Sequence, residues 1–400
     1  MEQTIKPGLL RGTVTVPPSK SQAHRAVIAA CLSGGISQIQ NLYFSQDIRA
    51  TVSAMAALGA KVTENGDTLT VSGAYPDPED CALIDCCESG STLRFLIPLA
   101  LLSGKTVTFT GRGRLMSRPL DPYFALFDKI GIKVEKAESS VTFSGKLTGG
   151  DFELPGNVSS QFITGLLFAL PLCEKDSRLT LTTTVESVGY IQMTLDILAT
   201  FGIHIEHENY QSYVIPGGQR YTPADLTVEG DYSQAAFFLC ANALGSDICV
   251  TGLSPHSSQG DKAILDIIAA FGSPLCATTI DTSQIPDLVP VLAVLASQAE
   301  GETRIINAAR LRIKESDRLS TTKDMLTRFG ARVTETEDSL IISGKAHLKG
   351  ATIETFNDHR IAMAAAIAAT VAEGETCILG AECVAKSYGN FWQDFKSLQA

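Results

Sequence analysis

The sequence predicts an α/β fold of two similar domains, each built from three repeated βαβαββ units. Buried helices would point their N-termini at an interdomain cleft, an inverse α/β barrel-like arrangement. Three observations carry this expectation. Six apolar helix-like runs each give way to a polar turn and a short β-rich segment; five glycines close a second set of helices; and three closing strands end in Ser-Gly. Internal repetition of this kind fixes which residues can occupy equivalent places.

The apolar runs open near Ser21, Thr92, Ser160, Ser233, Asp287 and His359. Their turns are Gly34-Gly35, Gly104-Lys105, Lys175-Asp176, Gly245-Ser246, Gly301-Glu302 and Gly374-Glu375. The second set of helices ends at Gly59, Gly131, Gly202, Gly272 and Gly330, where glycine suits a left-handed cap and the alternating residues beyond it suit a strand with one buried face. Leu69–Gly73, Val141–Gly145 and Leu340–Gly344 read as closing strands. A run such as Ile361–Ala368 has no polar side to offer water, so it belongs inside, between sheets and other helices.

At 400 residues and 42.6 kDa the chain exceeds one ordinary core and divides into two domains. The sixth unit lacks closing strands of its own, and Lys6 to Val16 could supply them. That closure makes the first domain discontinuous, residues 1–18 plus 218–400, around a second domain of residues 19–217. The crossings fall at Pro17-Pro18-Ser19 and Pro216–Gln219, where Pro and Gly disfavour regular structure. The active site is expected in the cleft between the domains.

Composition excludes several classes. The apolar runs 162–172 and 361–371 fall short of the ~18 residues that cross a bilayer, so no membrane association is expected. No apolar signal core follows Met1, which points to a cytoplasmic protein. Ten cysteines include no pair at two-residue spacing, so a metal site is not expected and free thiols suit a reducing compartment. A formal charge of -11 disfavours nucleic acid but leaves room for a small anion, because a few local cations set the potential of a pocket.

Helix openings hold those cations. Lys20 and Ser21 stand at the first mouth with Arg25 a turn further on; Lys20 is electrostatically misplaced at a helix N-terminus unless an anion compensates it. At the second mouth Gly90 permits close backbone approach, and the loop Gly111–Arg118 offers Arg118 for planar contacts with phosphate or carboxylate. Ser159, Ser160 and Gln161 open the third with uncharged hydrogen-bonding groups. Asp231 and Asp287 read either as ordinary caps or, for Asp287, as the partner of nearby cations. Lys314 and Arg318, four apart on one helical face, flank Glu315; Arg360 enters the most apolar helix and so needs an anionic partner; Lys386 can close the far side. His204 and His207 read as surface residues.

Taken in order, Pro18-Ser19-Lys20-Ser21 with Arg25, Ser91 to Arg94, Arg118-Pro119, Ser159-Ser160-Gln161, Lys314–Arg318, Asn357–Arg360 and Lys386 resemble the motif series of the 3-phosphoshikimate 1-carboxyvinyltransferase (EPSP synthase) family of enolpyruvyl transferases. The resemblance runs from residue 6 to residue 395. It implies transfer of the enolpyruvyl group of phosphoenolpyruvate to shikimate 3-phosphate, giving 5-enolpyruvylshikimate 3-phosphate and phosphate on the way to chorismate. It further implies a monomer without metal or redox cofactor. Lys20, Ser21, Arg25, Ser159, Ser160, Gln161, Ser187, Tyr190, Asp287 and Lys314 would hold shikimate 3-phosphate; Lys20, Gly90, Arg118, Gln161, Arg318, Arg360 and Lys386 would hold phosphoenolpyruvate. Glu315 is the candidate proton donor and Asp287 the candidate base, with Lys314 and Lys20 sharing proton transfer. Retention of Gly90 implies inhibition by glyphosate.

Two features depart from the family pattern: Glu88-Ser89-Gly90 replaces Asn-Ala-Gly, and Arg310 stands where many members carry Asn. Two alternatives remain at this point. A UDP-N-acetylglucosamine enolpyruvyl transferase would usually carry a cysteine in the loop before its Arg-Pro pair, whereas Gly111–Arg118 has none and Gly113 takes that place. A non-catalytic anion-binding relative would gain nothing from Asp287 and Glu315 among its cations.

Overall fold

The structure is a computed structural model that describes residues 1–399. The chain separates into two compact units, residues 18–229 and residues 1–17 with 230–400. Each unit has its own hydrophobic core.

The unit of residues 18–229 contains helices α1 (Lys20–Leu32), α2 (Gln46–Ala57), α3 (Gly90–Ala100), α4 (Asp121–Lys129), α5 (Ser160–Ala169) and α6 (Val188–Thr200). Its three four-stranded sheets share one pairing scheme. In the second, Ala82–Asp85 runs parallel to Val107–Thr110, which is antiparallel to Ser140–Ser144, itself antiparallel to Lys133–Lys136. Asp151–Leu154, Ser177–Leu181, Ser212–Ile215 and Glu206–Glu208 repeat the scheme. In the remaining sheet the parallel partner of Ile36–Gln40 is Leu226–Thr227, so the end of the unit returns to its beginning. That pairing is why residues 218–229, expected in the first domain, pack with this unit instead.

The other unit holds α7 (Tyr232–Ala243), α8 (Ile264–Phe271), α9 (Val289–Gln298), α10 (Arg318–Arg328), α11 (His359–Thr370) and α12 (Phe391–Leu398). Thr279–Asp281, Glu302–Ile306, Leu340–Ser343 and Arg332–Glu335 form a fourth sheet with the same scheme. The N-terminal segment acts differently from the expectation for Lys6 to Val16. Glu2–Ile5 pairs antiparallel with Thr376–Leu379, while Arg11–Thr15 pairs parallel with Asp247–Thr251 in a separate two-stranded sheet. Pro7 supplies no backbone donor and Gly8 sits at φ +155°, so the segment breaks into two strands there.

Helix burial follows composition. Every residue of α11 is buried, as is every residue of α9 except Gln298, because the side chains are apolar all round and other elements enclose them. The second helix set instead ends in glycines at positive φ, Gly59, Gly131, Gly202, Gly272 and Gly330, which turn the chain into the following segment. The third and fourth of those segments depart from the pattern: Ile203–Ile205 is irregular and the strand begins at Glu206, and Gly272 leads into turns with no strand before Thr279. No helix among the described residues is long and apolar enough to cross a membrane.

Candidate active site

Functional side chains gather at helix starts within each unit. In residues 18–229, Ser19 caps α1 by accepting from the Gln22 N–H at 3.4 Å, and Lys20 is the first helical residue. The Lys20 Nζ donates to Asp47 Oδ2 at 2.9 Å. Asp47 lies in the first turn of α2, where a carboxylate also suits the helix dipole. The anion that Lys20 requires is therefore present in the chain itself, and sequence reasoning missed it although Asp47 stands two residues after the Ser45 cap, in the first turn of α2.

Arg25 is 2% exposed and is held entirely by neutral acceptors: Thr194 Oγ1 at 2.8 Å, the Ser21 carbonyl at 2.8 Å and the Tyr190 carbonyl at 3.0 Å. Its guanidinium lies 5.1 Å from the Phe95 ring centroid. No carboxylate pairs with it among the described residues, and burial pulls its pKa down to about 10. A buried cation without a counterion is costly, which makes this position receptive to an anion. The same contacts place Ser21 and Tyr190 beside it. Ser187, immediately before α6, adopts a left-handed conformation at φ 59° and is buried.

A second group surrounds Gly90, the first residue of α3. Arg94 donates to Gln161 Oε1 at 2.9 Å and to the Pro119 carbonyl at 3.0 Å, while Gln161 Nε2 donates to Ser91 Oγ at 3.0 Å. A Cβ placed on Gly90 would lie 2.8 Å from Arg94 Nη1 and 3.0 Å from Arg118 Nη1. Gly90, Gln161 and Arg118 are thus brought together. Arg118 pairs with no carboxylate among the described residues, and its Nε is buried without a hydrogen-bond partner. Ser159 caps α5 by accepting from the Gln161 N–H at 3.3 Å, and Ser160 follows at the helix start. Arg94, which sequence reasoning left without a role, is the common tie of this group.

In the other unit the centre is Arg318, 1% exposed. It donates through Nη1 to Asp287 Oδ1 at 2.9 Å, through Nη2 to Glu315 Oε2 at 2.6 Å and through Nε to Asp358 Oδ2 at 2.9 Å. Asp287 also accepts from Arg360 Nη2 at 3.0 Å and stands 3.4 Å from Lys314 Nζ. Arg360 reaches Ser233 Oγ at 3.1 Å, and Lys386 Nζ donates to the Asn357 carbonyl at 2.9 Å. Lys314, Arg318, Arg360, Asp287 and Glu315 therefore converge. The anionic partner demanded by Arg360 is Asp287.

Two expectations change here. Lys314 and Arg318 do not share a helix: Lys314 follows the 3-10 turn Ala309–Ile313, and α10 begins only at Arg318, capped by Asp317. They meet through Asp287 rather than through helical spacing. Asp287 lies in the 3-10 turn Pro286–Leu288, where it accepts from Arg318 and Arg360 and stands beside Lys314. Asp231 is the ordinary cap, accepting from Ser233 N and Gln234 N. Asp358 was overlooked. It caps α11 through the Arg360 N–H at 3.0 Å and accepts from both Arg318 and Ser316; a carboxylate at a cap two residues before a buried arginine was the available signal.

Electrostatics separate these groups. Burial pushes the Asp287 pKa up, but Arg360, Lys314 and Arg318 together hold it well below the usual carboxylate range. Burial lowers Lys314, with Asp287 opposing only part of that effect. Burial also works against the charge of Arg318, yet Asp358, Glu315 and Asp287 raise its pKa overall. Asp287 and Arg318 are thus both held in their charged forms, beside a Lys314 whose burial weakens its hold on a proton.

The model of the family described as EPSP synthase (3-phosphoshikimate 1-carboxyvinyltransferase) matches residues 5–395. The chain is 47% identical to the 3-phosphoshikimate 1-carboxyvinyltransferase of Clostridium novyi, over 98% of this chain and 96% of that protein. It is 48% identical to that of Clostridium acetobutylicum, again over 98% and 96%. Among solved structures it resembles EPSP synthase from Acinetobacter baumannii, with a TM-score of 0.83 at 24% identity over 100% and 98% of the two chains. It also resembles the enolpyruvyl transferase NikO from Streptomyces tendae, with a TM-score of 0.79 at 18% identity over 99% and 96%. These structural likenesses show a shared α/β fold.

Proposed function

Because the chain belongs to the 3-phosphoshikimate 1-carboxyvinyltransferase (EPSP synthase) family, it transfers the enolpyruvyl group of phosphoenolpyruvate to the 5-hydroxyl of shikimate 3-phosphate, and we propose that its two clusters divide this work. The two compact units are the domains, each three βαβαββ repeats. Recurrence of one pairing scheme in four sheets supports the repeat. Shikimate 3-phosphate is held by Lys20, Ser21, Arg25, Ser159, Ser160, Gln161, Ser187 and Tyr190, joined by Asp287 and Lys314. Phosphoenolpyruvate is held by Lys20, Gly90, Arg118, Gln161, Arg318, Arg360 and Lys386. The observation that carries these assignments is the presence of Arg25 and Arg118 without carboxylate partners among the described residues, since cations left unneutralised favour phosphate and carboxylate.

The reaction needs a proton delivered to the methylene carbon of phosphoenolpyruvate while the 5-hydroxyl oxygen attacks its central carbon. Glu315 donates the first proton. Asp287 accepts the hydroxyl proton, aided by Lys314 and Lys20, giving a tetrahedral intermediate. In the unliganded chain Asp287 is a weak base because three cations hold its charge. Substrate phosphate and carboxylate compete for Arg318, Arg360 and Lys314, and each ion pair they take raises the basicity of Asp287. Return of a proton from the new methyl group to Glu315 then reforms the double bond as the C–O bond to phosphate breaks, and the cations take up the charge developing on the departing phosphate. Closure of the domains around both substrates would exclude water from these steps.

Phosphate release in the presence of phosphoenolpyruvate tests the reading. Release with shikimate 3-phosphate and none with UDP-N-acetylglucosamine is expected; the reverse preference would overturn the acceptor. The cysteine-free loop Gly111–Arg118 favours the former.

A further inference from the structure

Two rungs connect α1 and α2 with matching helical spacing. Lys20 reaches Asp47, and one turn later on both helices the His24 Nδ1 lies 2.7 Å from Thr51 Oγ1. From Thr51 the chain of hydroxyls continues to Thr92 Oγ1 at 2.7 Å, and Thr92 donates to Ser89 Oγ at 2.7 Å. Ser89 is the cap of α3 and also accepts the Thr92 N–H at 3.1 Å. His24, Thr51, Thr92 and Ser89 are all at most 1% exposed. The series therefore ties the start of α1, through α2, to the residue immediately before Gly90.

Its hydrogen bonds have a direction. The His24 Nε2 is buried and has no hydrogen-bond partner, and the Phe95 ring lies edge-on at 6.5 Å. If Nδ1 accepted, Nε2 would carry an unpaired buried N–H, costing about 1–3 kcal/mol. With the proton on Nδ1, each group donates onward: His24 to Thr51, Thr51 to Thr92, and Thr92 to Ser89. Thr51 then gives one bond and takes one, while Thr92 takes one and gives its proton chiefly to Ser89, with the Asp47 carbonyl a longer second acceptor at 3.5 Å, which ties the three helices together.

We propose that His24, Thr51 and Thr92 are positioning residues that hold Lys20 and Gly90 at the spacing phosphoenolpyruvate requires. None of them touches substrate. The proposal rests on the assignment of Lys20 and Gly90 to phosphoenolpyruvate. Shikimate 3-phosphate shares Lys20 but not Gly90, and its other assigned contacts lie largely on α5, α6 and at Arg25, which is secured separately by Thr194 and Tyr190, so only phosphoenolpyruvate uses both ends of the ladder. Loosening the ladder should therefore affect the two substrates unequally.

Thr51→Val keeps side-chain shape and removes both central hydrogen bonds. Steady-state kinetics should show KM for phosphoenolpyruvate raised about fivefold or more, with KM for shikimate 3-phosphate changed less than about twofold. Thr51→Ser should restore both values. Unchanged KM for phosphoenolpyruvate, or equal increases for the two substrates, overturns the proposal and leaves the network a purely structural feature. Should Thr51→Val fail to fold, His24→Phe, which removes only the first link, decides by the same comparison. Gly90→Ala is run alongside: if it leaves KM for phosphoenolpyruvate unchanged, the site assignment fails rather than the ladder.

Discussion

Replacing Asp287 by Asn removes one charge and little volume at the point where Arg318, Arg360 and Lys314 meet. The three contacts measure 2.9, 3.0 and 3.4 Å. At such distances and an effective dielectric near 20, each attraction is about 5 kcal/mol before desolvation is subtracted. Much of that opposes transfer of the same cations to substrate, so the Asn variant should bind phosphoenolpyruvate as well as the parent or better. Turnover should suffer instead. Loss of a positioned general base lowers kcat by about 10²–10⁴-fold, or roughly 3–5 kcal/mol of barrier. The assay is phosphate release with both substrates saturating, accompanied by a KM measurement for phosphoenolpyruvate. A kcat within about fivefold of the parent would show that Asp287 is only a counterion, and an increased KM with intact kcat would make it a binding residue.

Gly90→Ala introduces a methyl group 2.8 Å from Arg94 Nη1 and 3.0 Å from Arg118 Nη1, so one guanidinium must shift. Inhibition by glyphosate at fixed phosphoenolpyruvate should require about tenfold more inhibitor, in keeping with an overpacking cost of ~1–3 kcal/mol; an unchanged inhibition curve would refute this. His24 is buried neutral, its pKa pulled down to about 3 chiefly by burial. The unfolded chain therefore takes up a proton near pH 6.5 that the folded chain refuses, and this penalty grows by about 1.4 kcal/mol per pH unit from 6.5 down to the folded value. Urea unfolding of His24→Phe between pH 7 and 4.5 should show a correspondingly flatter loss of stability than the parent; identical slopes would contradict it. Asp358→Asn should cost about 3–5 kcal/mol at pH 7 by leaving Arg318 short of a buried partner. Because Arg318 holds Asp358 below the ordinary carboxylate value against the effect of burial, that contribution is present above pH ~4 and is lost as pH falls through the folded value, so parent and variant should converge in acid.

Helix starts were legible because the residues that make them are local. Ser19, Ser159 and Asp231 are caps within two or three residues of the N–H groups they satisfy, and Gly59, Gly131, Gly202, Gly272 and Gly330 mark ends that need positive φ. Partnerships across helices were not. The Lys20–Asp47, Arg94–Gln161 and Arg318–Asp358 contacts join residues far apart in sequence, and charge type alone does not choose among many carboxylates and amides. Helical spacing misled at Lys314 and Arg318 because Ser316 and Asp317 interrupt the helix, while the convergence itself survives through Asp287. The N-terminal segment was misassigned for a similar reason. Strand propensity identifies Arg11–Thr15 as a strand but does not say that Asp247–Thr251 is its partner.

The two clusters differ in how their cations are balanced, and the difference bears on mechanism. Arg25 and Arg118 have no carboxylate partner among the described residues, so an incoming anion gains their attraction without displacing an ion pair. Arg318 and Arg360 already hold Asp287, and Arg318 holds Glu315 and Asp358 as well. An anion reaching them must exchange places with carboxylates, which weakens ground-state binding but frees those same carboxylates for proton transfer. An enzyme that bound phosphoenolpyruvate only through open cations would hold it tightly with no base released by the act of binding. With Asp287 and Glu315 as the proposed base and acid, coupling the arginines to them would make arrival of substrate charge the event that activates both, so that part of the intrinsic binding energy would appear in turnover rather than in affinity.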